Sequence, residues 1–190
     1  MRALGSRPLA VALLLAAAVG CGDATGSRAE VGPTAPPLPE TIEPQVVVAD
    51  LDELLAALED RRGRAYLLNV WAMWCGPCIA ELPELVDAAH EWRPKGGDVV
   101  TVSFDLVAEG GDENAMREKV VKYMERKRWD LDVFVYRGAD TAAINEHFDL
   151  PDAIPVTLAI DAAGNVVDRH EGRGNRARFR RMMRRAVGVK

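Results

Sequence analysis

From Gln45 onward the chain alternates short apolar runs with stretches of helical period. "QVVVA" (45–49) predicts a strand, and Asp50 with Glu53 has capping-box spacing ahead of the short helix predicted over "LLAAL". "AYLLNVWA" (65–72) is almost continuously apolar, the pattern of a central strand buried on both faces. Cys78, Leu82, Leu85, Val86 and Ala89 then recur on one helical face, predicting a helix to about Trp92 with Pro83 expected to kink it. "DVVTVSFD" (98–105) reads as a second buried strand, followed by a Gly-rich loop and a helix from about Asp112 to Arg128. Leu131 to Tyr136 is a short strand, "DTAAINEHF" a short helix, "PVTLAID" a strand, and "GNVVDRH" its hairpin partner across Asp161-Ala-Ala-Gly164. Strands alternating with helices predict an α/β domain of βαβ type, with no internal repeat.

The first 44 residues follow a different pattern. A basic start with Arg2 and Arg7, the apolar run "PLAVALLLAAAVG" and small residues before Cys21 have the layout of an export signal over residues 1–20. Leu9 to Val19 is too short for a bilayer span, which takes about 20 apolar residues. "AAVGC" (17–21) resembles a bacterial lipobox, with Ala18 where leucine is usual, and implies acylation of Cys21 and a lipid anchor in a membrane. Residues 21–44, rich in Gly, Pro, Ser and Thr with no apolar period, read as a flexible tether, leaving 45–190 as the folded domain. The location this predicts is extracytoplasmic, on the periplasmic side or the outer cell surface.

Charge sharpens the division. Without residues 1–20 the chain carries 22 basic and 29 acidic residues, whereas Arg169 to Lys190 alone holds nine basic residues and one acid. In "RARFRRMMRRAV" Phe179, Met182, Met183, Ala186 and Val187 keep helical spacing between the arginines, so the expected element is a terminal amphipathic helix with a solvated basic face. An exported chain of acidic overall charge does not point to nucleic acid as a partner.

The chemistry centres on "VWAMWCGPCIAELPEL" (70–85). Cys75-Gly-Pro-Cys78 provides half of a zinc site, but His90, His147 and His170 are scattered singly and no second cysteine pair completes four ligands, so no metal and no separate cofactor is expected. A purely structural disulfide would close so short a loop that its effect on chain entropy is small. A redox couple suits the position. At a helix N-terminus unpaired N–H groups and the helix dipole favour a thiolate at Cys75, making it the nucleophile, with Cys78 one turn further in as the resolving thiol. Glu81, on the adjacent helical face, is either a proton acceptor for Cys78 or an ordinary surface carboxylate of a first turn.

At "WAMWCGPCIAELPEL" the chain resembles the thioredoxin superfamily, specifically its TlpA-like and ResA-like extracytoplasmic thiol:disulfide oxidoreductases, over roughly Val46 to Val187. The resemblance implies a thioredoxin-like fold: a central mixed sheet with helices on both faces, and an extra strand and helix within Asp98 to Tyr136. The branch's C-x-x-C-x-x-E-x-P is met by Cys75, Cys78, Glu81 and Pro83, and gives Glu81 a part in proton transfer. Thioredoxin has a strand aspartate where this chain has Asn69, which does not titrate. "AIPVTLAID" matches the loop whose cis-proline faces the active site, implying substrate contacts by Ile154, Pro155 and Trp74. Met73 stands where the branch more often has a small polar residue, which bears on partner choice.

The expected function is therefore an enzyme, a lipid-anchored dithiol-disulfide oxidoreductase that reduces disulfides of exported proteins and is recharged by a membrane electron donor. Cytochrome c maturation is one task of the branch. The rival readings are a thioredoxin-like copper chaperone using Cys75, Cys78 and a histidine, and a thiol peroxidase, which would call for a cysteine flanked by Pro and Thr.

Overall fold

In a computed structural model of the chain, the structure describes residues 37–40 and 43–189. The signal segment, the lipobox with Cys21 and most of the tether lie outside the described residues.

Six strands form one mixed sheet in the order β1-β4-β3-β2-β5-β6. They are β1 (Val46–Ala49), β2 (Ala65–Trp71), β3 (Gly97–Ser103), β4 (Asp132–Tyr136), β5 (Val156–Ile160) and β6 (Val166–Glu171). β1, β4, β3 and β2 pair in parallel, while β5 and β6 are antiparallel to their neighbours. The near-continuous apolar runs thus become the parallel strands, and every residue of β2 and β3 is buried.

Alternate residues of these strands serve opposite cores. On one face Leu67, Trp71, Val99, Val133 and Val135 pack under α2 (Gly76–Trp92), α4 (Glu113–Lys127) and α6 (Arg176–Val187). On the other, Tyr66, Leu68, Val70, Val100 and Val102 pack under α1 (Leu51–Glu59) and α5 (Ala142–Phe148). The expected thioredoxin-like α/β architecture is what forms, with helices on both faces.

The helix boundaries have local causes. Asp50 and Glu53 form the reciprocal capping box of α1, Asp112 caps α4, and Asn175 caps α6, which closes at Gly188 with φ 74°. α2 begins at the cysteine motif, with Pro77 in the first turn where no N–H is needed, and continues through Pro83 to Trp92. One element departs from the sequence pattern: the stretch after β3, expected to be loop, starts with the short helix α3 (Asp105–Glu109). Its five residues are too few to show a helical period, and the chain's first clear break falls only at Gly110 and Gly111.

Candidate active site

The site sits at the C-terminal end of β2, where the strand hands over to α2. Cys75 is the N-cap of α2 in extended geometry, and its Sγ accepts the Cys78 N–H at 3.3 Å. The two cysteines are joined as a disulfide with Cα atoms 5.2 Å apart. Cys75 keeps 6% of its surface exposed and Cys78 none, so an incoming sulfur meets Cys75 first.

Glu81 lies one turn beyond Cys78 and is fully buried, which replaces the exposed-carboxylate alternative with a carboxyl in the core. Oε1 accepts from Asn69 Nδ2 at 2.8 Å and Oε2 accepts the Gly174 N–H at 2.6 Å. Burial pushes its pKa above the usual carboxylate range, against the opposing pull of the Gly174 N–H, the Asn69 amide and the charge of Arg173. Asn69 also donates to Thr157 Oγ1 at 3.0 Å, and these two are register partners across β2 and β5. The residue that cannot titrate therefore holds the one that can.

The opposite wall is the turn before β5. The Ile154–Pro155 peptide is cis, and the Ile154 carbonyl oxygen lies 3.8 Å from Cys75 Sγ. Trp74 stands out from the surface with 55% of its area exposed. Trp74 and Ile154 also line a cleft of about 380 Å³ that runs between Phe104, Val107 and Pro151. Cys75, Cys78, Glu81, Trp74, Ile154 and Pro155 thus converge on one end of the sheet. Cys21 lies outside the described residues.

Two contributors have no signature in the motif. Gly174 reaches Glu81 from the loop between β6 and α6, 93 residues away in sequence. Asp105 accepts the Met73 N–H with both carboxylate oxygens, at 2.9 and 3.1 Å. A carboxylate closing the mostly apolar run Val99–Phe104 was the one available signal for Asp105; nothing in the local sequence marks Gly174. The histidines lie elsewhere: His90 pairs with Asp130 at 2.8 Å, His147 stacks edge-on to Phe148, and His170 is on β6. Among the described residues no three His, Cys, Asp or Glu side chains are grouped to hold a metal ion.

Sheet order, a disulfide at the first turn of the helix after a central strand, and a cis-proline turn facing it define a thioredoxin-like protein. The chain belongs to the AhpC/TSA family, whose profile matches residues 41–169. It is 41% identical over 56 residues to the thiol-disulfide oxidoreductase ResA of Oceanobacillus iheyensis, covering 30% of this chain and 29% of that one. Against ResA of Bacillus cereus it is 29% identical over 126 residues, covering 66% of this chain and 65% of the other, so both matches span less than two thirds of the relative. A solved thiol:disulfide interchange protein of the thioredoxin family from Chlorobium tepidum superposes with a TM-score of 0.56 at 27% identity, covering 68% of this chain and 84% of that one. The ResA-like resemblance carried by the motif is thus matched by relatives and by fold.

Proposed function

We propose that this chain is a thiol:disulfide oxidoreductase that reduces disulfides of exported proteins through Cys75 and Cys78. The observation that carries the reading is the graded burial of one helix: a Cys75 at its N-cap that keeps a narrow strip of surface exposed, a Cys78 in its first turn with none, and a buried carboxyl at Glu81. In the reduced enzyme the α2 N-terminus stabilises the Cys75 thiolate. That thiolate attacks the partner's disulfide, forming a mixed disulfide and expelling one partner thiolate. Glu81 takes the Cys78 proton, Cys78 sulfur attacks Cys75 sulfur, and the second partner thiolate leaves, so two electrons pass to the partner.

Trp74, Ile154 and Pro155 flank the reacting sulfur and contact the partner on either side of its cysteine. No cofactor beyond the cysteine pair is involved in this mechanism. Met73, an apolar residue at the same rim, tunes which partners fit.

The setting is part of the proposal. Cleavage after residue 20 and acylation of Cys21 hold the domain outside the cytoplasm on a lipid anchor. Among the described residues no helix is long and apolar enough to cross a membrane. Re-reduction then falls to a membrane electron donor, and keeping apocytochrome c thiols reduced is a task such an enzyme would perform.

The test is insulin-disulfide reduction with dithiothreitol as donor. Turnover is expected from the wild type and none above background from Cys75→Ser. Wild-type turnover in that variant would sink the mechanism.

A further inference from the structure

Two carboxylates are buried beside the cysteine pair, and only Glu81 has a part in the reaction above. The second is Asp105, fully buried as the first residue of α3. Besides the Met73 N–H, its Oδ2 accepts the Ser103 hydroxyl at 2.6 Å, while Ser103 Oγ accepts the Asp105 N–H at 3.2 Å. Met73 belongs to the turn that delivers Cys75, which is also held by Phe104 N–H donating to Trp71 O at 2.9 Å and Cys75 N–H to Ala72 O at 3.1 Å. Two residues of chain span at most about 7 Å, so the Asp105 carboxylate lies within roughly 10 Å of the Cys75 backbone.

The groups facing Asp105 leave it a net negative neighbour. Both of its hydrogen-bond donors, the Met73 amide and the Ser103 hydroxyl, are neutral. Glu109 faces it from its own helix, and Lys119 and Tyr123 from α4. The Lys119 charge is already engaged by Glu109 at 2.6 Å. Burial is the main influence on Asp105, raising its pKa, opposed by Ser103 and then Met73. In a buried setting of reduced dielectric, a charge at this range acts on the Cys75 thiolate more strongly than it would through water. A negative neighbour disfavours the thiolate. Since thiolate stabilisation makes a dithiol couple oxidising, its disfavour makes the couple reducing.

We propose that Asp105 is a positioning residue of the dithiol couple: it holds the turn 71–75 through the Met73 N–H, and its charge sets the couple on the reducing side. This rests on the reading of Cys75 and Cys78 as the redox pair and adds the direction in which that pair is poised.

The measurement is the equilibrium constant with dithiothreitol between pH 5.5 and 9, using the full chain. In that exchange the protein disulfide and the reagent's dithiol become the protein dithiol and cyclic oxidised reagent; two electrons and two protons move to the protein, one proton passing to solvent above the Cys75 pKa. Asp105→Asn keeps an acceptor for the Met73 N–H and removes the charge. Its couple is expected to be less reducing by about tenfold in the constant, about 30 mV, above the Cys75 pKa. It should converge with wild type at acid pH, where Cys75 is a thiol in both.

Ser103→Ala leaves Asp105 in place but removes the hydroxyl that favours its ionised form, and is expected to shift the constant in the same direction as Asp105→Asn and by less. This second variant decides the matter if Asp105→Asn does not fold. Constants equal to wild type across the pH range, or shifts of the wrong sign, overturn the proposal even where thermal unfolding shows a stability change. A wild-type chain that does not exchange with dithiothreitol at all overturns instead the redox reading on which the proposal rests.

Discussion

At the scale of residues, the decisive feature is a carboxyl placed where water does not reach. Glu81 is held by the Asn69 amide and the Gly174 N–H, both of which favour its ionised form, while burial favours the protonated one more strongly. A folded-state pKa above the unfolded value means the native state binds more protons between the two. Stability is therefore lost as pH rises from the ordinary glutamate range through the raised pKa, and levels off above it. Glu81→Gln should remove this dependence, read as urea midpoints that differ less between pH 4 and pH 8 than those of the wild type. The same variant should lower the apparent thiol pKa and slow release of the reduced partner by roughly 10²-fold, the usual worth of a general base. If the thiol pH profile and the release rate both stay as in wild type, Glu81 is a structural carboxyl only.

At the scale of elements, the site depends on how α2 and α6 meet over the sheet. Gly174 precedes the α6 cap, and a Cβ there would come within 2.3 Å of the buried Phe179 ring. That close approach lets the loop pass near enough to α2 for its N–H to reach Glu81. Gly174→Ala is expected to cost about 1–3 kcal/mol, seen as a lower urea midpoint. It should also move the Glu81-linked step of the thiol pH profile upward, because a donor to the carboxylate is weakened. A stability loss with an unmoved profile would separate packing from proton chemistry.

The far end of the same sheet is organised differently. Fully buried Arg93 bridges Asp98 at 3.0 Å and Asp130 at 2.6 Å, and Arg61 reaches Asp132 at 2.5 Å. This ion cluster ties the start of β3 and β4 to the end of α2, leaving the opposite end, with the cysteines, free of buried guanidinium groups among the described residues.

At the scale of the whole molecule, charge and tether decide where the site works. The arginines of α6 form the solvated basic face expected from their spacing, over the buried Phe179, Met182, Met183 and Ala186, and several of them are also paired with acids. Arg176 meets Asp87, Arg180 meets Glu91, and Arg178 and Arg185 converge on Asp168. Much of the basic charge of this helix is thus answered by acids of α2 and β6, and the anchoring proposed above rests on Cys21. Metabolic labelling with a fatty acid should mark the wild type and not Cys21→Ser, and the variant should appear in the soluble fraction with insulin reduction unchanged. Equal labelling of both would remove the anchor from the proposal.

What the sequence alone determined is what depends on neighbours along the chain. The order of strands and helices follows from apolar runs and caps such as Asp50 with Glu53. The cysteine pair and its place at a helix start follow from local motif, and the family resemblance implies the cis proline at Pro155. Tertiary structure decided what depends on burial and on groups brought from afar. Helical spacing puts Glu81 beside Cys78, but only the approach of β5 and of the β6–α6 loop buries it and supplies Gly174. Asn69 is legible as a non-titrating residue, yet its role as donor to Glu81 requires α2 to lie over β2. Asp105 reads as the polar last residue of the strand predicted over 98–105, and becomes a buried partner of the active-site turn only because β3 runs parallel beside β2 and ends level with it. Those distances are set by packing across the sheet, and no periodicity within a single segment encodes them.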